Sequence, residues 1–412
     1  MKVLLLTREY PPDVYGGAGV HADYLSRELA KLVPVEVRTF GAQDLHLGNL
    51  AVHGHGAAVT SPGDADQEFR GALQALRVCI SFNARPINAD LVHCHTWYAH
   101  FGGLLARILY GIPLVITAHS LEPLRPWKRE QLGRGYDLTR WIEQTALEAA
   151  DAVVAVSQEM RADILRYFRV DPERVHVIHN GIDTAEYRRV ASRDRLARFG
   201  IDPGRPYVLF VGRITRQKGI LHLVHAIPYL IRGTQVVLCA GAPDTPEIAR
   251  EIEAAVRRAQ AGRDGVIWIS EMVDRPSAIE LYSHAAVFCC PSIYEPFGII
   301  NLEAMACETP VVASAVGGIK EVVVHGETGF LVPLEQQDES PFEPVHPERF
   351  ARDMAARLNA LLADEALRKT MGQKGRLRAE AHFSWAAIAQ QTLALYRSLI
   401  QEKASGPAPP TA

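Results

Sequence analysis

The sequence has few of the features that would place it outside ordinary globular proteins. Its six cysteines include no C-x-x-C pair, and most lie in apolar, strand-like runs: Cys79, Cys94, Cys239, Cys289, Cys290 and Cys307. Such residues are typical of buried, reduced thiols, so we expect a cytoplasmic protein. No apolar run approaches the ~18 residues of a membrane span, and the start, MKVLLLTREYPP, is too briefly apolar for a signal peptide.

The chain also lacks an excess of charge of one sign. Lysine and arginine number 44 against 47 aspartates and glutamates, which gives a formal net charge of −3. This balance indicates neither a nucleic-acid nor a membrane partner, so any phosphate site must be local. A length of 412 residues, 48% of them hydrophobic, is enough for two or three domains that each have a core.

Short apolar runs alternate with helical patterns, beginning with Val3–Leu6 and restarting at Tyr207–Val211 after a polar stretch. The alternation predicts an α/β fold with two Rossmann-like, doubly wound parallel-sheet domains, 1–183 and 184–383. A C-terminal helix over 384–401 is expected to cross back to the first domain, and the tail 404–412 to be disordered. Ligands in such folds bind beyond the carboxyl ends of the strands, so we expect a site in a cleft between the domains.

The stretch Pro291–Cys307, PSIYEPFGIINLEAMAC, carries Glu295 and Glu303 eight positions apart. Between them Gly298 permits a ligand to approach the backbone, and unpaired N–H groups at the following helix start favour an anion. Either glutamate alone would be an ordinary surface or helix-start residue. Together they suit a molecule with a diphosphate between two sets of sugar hydroxyls.

Two further glycine-containing loops are candidate phosphate sites. GRITRQKG follows an apolar strand, and its Arg213 and Lys218 can bind a diphosphate leaving group. GAGVHA, beginning at Gly17, matches the dinucleotide fingerprint G-x-G-x-x-A, but about ten residues separate it from the strand and no acid ends the next strand. We therefore expect a glycine-rich helix start that reaches the donor, with a plain loop–helix junction as the alternative.

Histidines and aromatics cluster after two other apolar runs. His119 lies just past PLVIT, where it is either a ligand contact or a hydrogen-bonded structural residue. His95 with Trp97 and Tyr98 is expected to form a wall for a sugar acceptor. His93, His95 and His100 invite comparison with metal ligands, but the sequence has no HExxH and no zinc-type spacing, so no metal is predicted.

In their order along the chain, the glycine loop, HxHTW, TAHS, GR-x₄-KG and E-x₇-E resemble the retaining GT-B glycosyltransferases of family 4, glycogen-synthase type. The resemblance extends from Met1 to about Leu399. TREYPPDVYGGAGVH and TAHSLEPLRPWKREQLGRGY are similar to the actinobacterial-type enzymes, some of which make α-maltose-1-phosphate. The Lys-x-Gly-Gly-Leu loop of the starch-synthase type is absent, so the role of its lysine is vacant or filled elsewhere.

The resemblance implies a glucosyltransferase that moves an α-glucosyl unit from ADP-glucose to a glucan end or to glucose-1-phosphate, without a metal or other cofactor. It implies that Arg213 and Lys218 bind the diphosphate. It also assigns Glu295 and His119 to the transferred sugar and Glu303 to the ribose. Further contacts with the donor are assigned to Gly17 and to the backbone N–H groups of Phe297, Gly298 and Ile299. Leu121–Tyr136 follows His119, and its Arg125, Lys128 and Arg129 either bind the acceptor's phosphate or form a solvated basic loop.

Other functions stay open at this level. A family 4 transferase using UDP-glucose or GDP-mannose with another acceptor is the main alternative. A non-catalytic protein that binds sugar nucleotides is disfavoured because every expected charged position is filled. The sequence leaves the oligomeric state open, a homodimer included.

Overall fold

The computed structural model describes residues 1–56, 68–271, 273–338 and 342–405. Two α/β units make up the chain: Met1–Gly181 with the segment from Trp385 onward, and Ile182–Ser384. The predicted boundaries were 183 and 383. Both units contain parallel sheets with helices between consecutive strands, which confirms the predicted fold class. Among the described residues, no helix is both long and apolar enough to span a membrane.

The first unit is built on an eight-stranded sheet in the order β3-β4-β2-β1-β5-β6-β7-β8. Its strands are β1 (Val3–Leu6), β2 (Val35–Thr39), β3 (Asp44–Leu47), β4 (Leu50–Gly54), β5 (Leu91–His95), β6 (Leu114–Ala118), β7 (Ala152–Ala155) and β8 (Val175–Val177). The central strands are buried along their length, as their apolar runs require. The antiparallel β3–β4 hairpin has no counterpart in the sequence prediction, because β3 is polar and exposed.

Six helices connect these strands: α1 (Gly17–Ala30), α2 (Arg70–Asn83), α3 (Trp97–Tyr110), α4 (Lys128–Leu132), α5 (Gly135–Ala149) and α6 (Gln158–Tyr167). α1 and α3 begin just beyond the carboxyl ends of β1 and β5, and α4 lies in the basic loop after β6. Since β1, β5 and β6 are neighbours in the sheet, their carboxyl ends bring three loops to one edge.

The second unit has a six-stranded sheet in the order β11-β10-β9-β12-β13-β14, parallel throughout. Its strands are β9 (Tyr207–Arg213), β10 (Gln235–Gly241), β11 (Val266–Ile269), β12 (Val287–Cys290), β13 (Val311–Ser314) and β14 (Gly329–Val332). Its helices are α7 (Asp194–Arg198), α8 (Ile220–Ala226), α9 (Pro246–Gly262), α10 (Arg275–His284), α11 (Ile299–Ala306), α12 (Ile319–Val322), α13 (Pro347–Ala363) and α14 (Glu365–His382). Buried aliphatic side chains of α8, α9 and α13 cover one face of the sheet.

The last helix, α15 (Trp385–Ser405), belongs to the first unit. Its Trp385 stacks on Tyr24 of α1 at 5.6 Å, and Tyr396 is buried in the same core as β1. The helix includes Ala404 and Ser405, which were predicted to be disordered, because Gln401-Glu402-Lys403 are good helix formers. The rest of that predicted tail, 406–412, lies outside the described residues.

A buried hydrogen-bond chain ties α15 to the sheet, and it gives a stability prediction. His93 of β5 shares hydrogen bonds with the Tyr396 hydroxyl (2.6 Å) and the Thr117 hydroxyl (2.7 Å). Tyr396→Phe should leave a buried imidazole nitrogen without a partner and lower the free energy of unfolding by about 1–3 kcal/mol. The control is Tyr110→Phe, on the partly exposed end of α3, which should change the free energy of unfolding by less than about 0.5 kcal/mol. Urea denaturation measures both variants. If the two variants lost the same free energy of unfolding, the hydrogen bond between His93 and Tyr396 would contribute nothing to stability.

Candidate active site

The loops after β9 and β12 bring two of the predicted residues into contact. Because β9 and β12 are neighbours in a parallel sheet, their carboxyl ends lie side by side. Lys218 follows β9 in a 3-10 turn, and its Nζ lies 2.7 Å from the Glu295 carboxylate. The Ser292 hydroxyl donates to the same carboxylate oxygen at 3.2 Å. A lysine and a hydroxyl thus fix the position of the buried Glu295 side chain.

Arg213, the last residue of β9, is paired with a residue that the sequence analysis did not identify. Its Nη1 lies 3.0 Å from Asp244, which follows the neighbouring strand β10. The aspartate thus helps to fix the orientation of the guanidinium at the strand end. Asp244 belongs to no motif that the sequence analysis recognised. Its place beside Arg213 follows only from the pairing of β9 with β10 in the sheet.

Glu303 of α11 also has a partner that was not predicted. The Tyr282 hydroxyl, from α10, donates to the Glu303 carboxylate at 2.9 Å. Burial raises the pKa of Glu303, and the hydroxyls of Tyr282 and Tyr187 oppose the rise by stabilising the carboxylate. The two phenols orient a carboxylate that can accept hydrogen bonds from sugar hydroxyls.

The segment between the two glutamates depends on glycine. Gly298, with φ of +94°, precedes α11, and a Cβ there would lie 2.6 Å from the Asn301 amide nitrogen. Gly317 has φ of +51°, and a Cβ there would lie 2.0 Å from the Glu295 carbonyl oxygen. The Phe297 side chain is buried, so this residue can offer a ligand its backbone rather than its ring. N–H groups in the first turn of α11, beginning at Ile299, have no acceptor within the helix.

The first unit brings three histidines together. His95 ends β5 and His119 follows the neighbouring β6, so their rings meet, with His95 Nδ1 3.1 Å from His119 Nε2. His21 of α1 completes the group, with its ring centroid 4.7 Å from that of His119. Burial lowers the pKa of all three imidazoles, that of His21 to about 4. The three rings are therefore neutral. One nitrogen of each ring is already bonded within the protein, so each has at most one further nitrogen that could donate to or accept from a ligand hydroxyl.

His21 was missed because it lies far from the other two in sequence, although it is in the GAGVH segment that the sequence analysis selected. Its Nδ1 contacts the Asn180 side-chain oxygen at 2.7 Å. One ring nitrogen from each of His21, His95 and His119 lies within 4.8 Å of the others, a spacing that could hold a metal ion. Of the histidines compared with metal ligands from sequence, only His95 joins this cluster, while His93 is bonded to α15 and β6 and His100 is buried in α3.

The glycine loop before α1 is held by a carboxylate. Glu9 accepts hydrogen bonds from the backbone N–H groups of Tyr15 (2.9 Å) and Gly16 (2.7 Å). Gly19 packs directly against Glu9, since a Cβ there would lie 2.8 Å from the Glu9 Cβ. Gly17 is the exposed first residue of α1. Glu9 thus fixes the turn that precedes α1, the helix that carries His21.

The predicted acceptor residues are not all in the expected place. Trp97 is only 4% exposed and packs with Ala72, Ala75 and Ile142 in a small core, so it does not offer a face to a sugar. Its apolar area is better buried between helices than left at a strand end. The adjacent Tyr98 stacks on it at 3.9 Å between ring centroids and is half-buried.

The cations of the basic loop after β6 have different partners. Lys128 is buried and its Nζ lies 3.1 Å from the buried Glu122 carboxylate, so the predicted phosphate ligand is the counter-charge of an internal acid. Arg129 pairs with Asp137 at 2.5 Å on the surface. Arg125 differs, because its Nη1 donates to the Ser120 hydroxyl at 3.2 Å and not to a carboxylate.

Residues 15–186 match the family described as Glycosyltransferase Family 4, and residues 192–341 match Glycosyl transferases group 1. The chain is a family 4 glycosyltransferase. It is 50% identical over 407 residues to alpha-maltose-1-phosphate synthase of Mycolicibacterium smegmatis, covering 97% of this chain and 100% of that one. It is 33% identical over 421 residues to D-inositol 3-phosphate glycosyltransferase of Kineococcus radiotolerans, covering 95% and 92%.

Solved structures agree with this assignment. Sucrose-phosphate synthase from Thermosynechococcus elongatus has a TM-score of 0.77 and 28% identity, covering 98% of this glycosyltransferase and 100% of that chain. The catalytic domain of starch synthase IV from Arabidopsis thaliana, bound to ADP and acarbose, has a TM-score of 0.71 at 18% identity, covering 97% and 99%. The predicted family and the GT-B fold are confirmed.

The buried ion pair of the basic loop predicts that this glycosyltransferase tolerates two lysine and arginine changes very differently. Lys128→Met should lower the free energy of unfolding by about 3–5 kcal/mol, because Glu122 would remain buried without its counter-charge. Arg129→Met, which breaks an exposed surface pair, should change the free energy of unfolding little, because solvent screens that pair. Urea denaturation measures both, and adding Glu122→Gln to Lys128→Met should recover most of the loss. Similar values for the two single variants would contradict the structural role of Lys128.

Proposed function

We propose that this glycosyltransferase moves an α-glucosyl unit from ADP-glucose to glucose-1-phosphate or to the end of an α-1,4-glucan, with retention of configuration. The observation that carries the proposal is the group of Arg213, Lys218 and Glu295 at neighbouring strand ends. It occurs in a chain that is 50% identical, over nearly all its length, to alpha-maltose-1-phosphate synthase.

The donor's diphosphate is assigned to Arg213 and Lys218. Charge develops on the diphosphate as the bond to glucose breaks, so cations at fixed positions stabilise the transition state more than the bound donor. Asp244 fixes the orientation of Arg213, and Glu295 that of Lys218. The ribose hydroxyls are assigned to Glu303, and the backbone N–H groups of Phe297, Gly298 and Ile299 provide further contacts for the donor.

The second unit's Glu295 is assigned to the transferred glucose, in a front-face substitution. The first unit's His119 and Gly17 keep the roles that the family resemblance implies. The anomeric carbon–oxygen bond breaks, the departing phosphate oxygen takes the proton of the acceptor hydroxyl, and that hydroxyl attacks the same face. A positive, oxocarbenium-like sugar is stabilised by the Glu295 carboxylate. The histidines suit this step because neutral imidazoles bond hydroxyls without adding positive charge, so we assign His21, His95 and His119 to sugar hydroxyls.

Glucose-1-phosphate is favoured over a glucan end as the acceptor. The names of two groups of relatives, alpha-maltose-1-phosphate synthase and D-inositol 3-phosphate glycosyltransferase, each carry a phosphate on a small molecule. A family 4 transferase that uses UDP-glucose or GDP-mannose with another acceptor is the alternative function. The two functions differ in the nucleotide base of the donor, which is adenine in the proposed function and uracil or guanine in the alternative.

A substrate panel tests the proposal directly. ADP-glucose with glucose-1-phosphate should give α-maltose-1-phosphate, with an α linkage seen by proton and phosphorus NMR, whereas UDP-glucose and GDP-mannose should react much more slowly. The rate should not change with EDTA. ADP at 100 times its Kd should raise the free energy of unfolding by about 2.7 kcal/mol. A β-linked product or no transfer from ADP-glucose would overturn the proposal, and loss of activity in EDTA would assign the histidines to a metal.

Substitutions in the donor site should separate turnover from binding. Arg213→Ala or Lys218→Ala should lower kcat by on the order of 10²-fold, because each removes a cation from the developing diphosphate charge. Glu303→Gln should instead raise the Kd for ADP, measured by calorimetry. Arg250→Ala, on the exposed face of α9, is the matched control. If Arg213→Ala and Lys218→Ala raised only the KM for ADP-glucose, the transition-state role would be excluded.

A further inference from the structure

We propose that Arg8 and Arg125 bind the phosphate of a phosphorylated acceptor in the first unit. The inference rests on the proposed function and identifies the residues that would favour glucose-1-phosphate over a neutral glucan end. Arg8 had no role in the sequence analysis. Arg125 was one of three cations in the loop after β6, and the structure now distinguishes it from the other two.

The sheet order brings the two arginines to one edge. Arg8 follows β1, Tyr98 lies in the first turn of α3 just after β5, and Ser120 follows β6. β1, β5 and β6 are consecutive neighbours in a parallel sheet, so these residues lie at three adjacent strand ends. Small-molecule sites in such sheets occur at the carboxyl ends of the strands.

Arg8 is exposed and held in place by an aromatic ring. Its guanidinium carbon lies 4.0 Å from the ring centroid of Tyr98, and that ring stacks on the buried Trp97. Within the described part of the chain, the Arg8 side chain makes no ion pair with a carboxylate. An arginine stacked on a ring keeps its edge of N–H donors available and loses little freedom when it binds a phosphate.

Arg125 lies in the loop after β6, within electrostatic reach of the same tyrosine. Its Nη1 is fixed by the Ser120 hydroxyl at 3.2 Å, and its Nε is buried with no hydrogen-bond partner among the described residues. Burial raises the pKa of Tyr98, and both Arg8 and Arg125 lie close enough to oppose that rise. A buried N–H group without a partner is costly, so an anion is the ligand that would satisfy it.

The other charges nearby are already paired. The Glu9 carboxylate holds the backbone N–H groups of Tyr15 and Gly16, and the Glu122 carboxylate binds Lys128. Arg129 pairs with Asp137. Neither Arg8 nor Arg125 makes an ion pair with a carboxylate in the part of the chain that the structure describes. The buried Glu143 lies within electrostatic reach of Arg125, and its carboxylate accepts a hydrogen bond from the Glu122 backbone N–H. A phosphate dianion suits two such guanidiniums.

The position of the two arginines also favours a short acceptor, with its phosphate on the sugar next to the reacting centre. Ser120, which fixes Arg125, is adjacent to His119, the residue assigned to the transferred sugar. A phosphate bound by Arg125 therefore belongs to a sugar beside the reacting centre, as in glucose-1-phosphate. A neutral glucan end at that position would leave the two guanidiniums without an anion.

The experiment compares two acceptors in four variants of the full chain. Arg8→Gln and Arg125→Gln should each lower the ratio of kcat/KM for glucose-1-phosphate to kcat/KM for maltotetraose by about tenfold or more, mainly through the KM for glucose-1-phosphate. Arg8→Lys should retain part of that ratio, since it keeps the charge. Arg166→Gln is the matched control, because Arg166 also lies over a tyrosine ring, 5.4 Å from Tyr167, on the exposed α6.

A binding measurement gives a readout that does not depend on turnover. Inorganic phosphate should compete with glucose-1-phosphate for the wild-type protein, and calorimetry with ADP present should show weaker glucose-1-phosphate binding by Arg8→Gln but not by Arg166→Gln. If the wild type uses glucose-1-phosphate and the Arg8 and Arg125 variants keep the wild-type ratio, the inference is overturned and the proposed function stands. If the wild type neither binds nor glucosylates glucose-1-phosphate, both the acceptor assignment and the inference fail.

Discussion

The ion pair between Lys218 and Glu295 is the interaction around which the second unit's site is organised. It joins the turn after β9 to the loop after β12 at 2.7 Å. Two close backbone approaches make the contact possible. A Cβ on Gly219 would lie 2.1 Å from the Pro291 carbonyl oxygen, and one on Gly317 would lie 2.0 Å from that of Glu295. Both glycines have positive φ, so the loops can approach only because no side chain intervenes.

In the first unit, the free-energy cost of removing charged groups from water determines the properties of the site. It lowers the pKa of His21, His95 and His119, and the proposed function uses these side chains as neutral partners for hydroxyls. The same cost requires that an internal carboxylate have a counter-charge, which Lys128 supplies to Glu122. Among the cations near the strand ends, Lys128 thus neutralises an acid of the protein itself, whereas Arg8 and Arg125 are the two proposed to bind a ligand.

In this family 4 glycosyltransferase, the group that a charged side chain contacts indicates its role better than its residue type does. Lys218 and Lys128 are both lysines paired with a buried glutamate. The first pair lies between two strand-end loops beside Arg213, and the second lies within a single basic loop packed on α5. Arg125, in the same loop as Lys128, contacts only a hydroxyl among the described partners.

The sequence by itself determined the α/β class and most of the strands, because these depend on local patterns, and it selected the residues proposed for the donor site. Val3–Leu6 is an apolar run that only a doubly covered strand explains, and Glu295 and Glu303 lie close together around a glycine turn. The tertiary structure alone decided which distant residues meet. His21 contacts Asn180 across 159 positions, and Trp97 fills a core instead of facing a sugar. Sheet order and burial set these contacts, and neither is written in the spacing of residues along the chain.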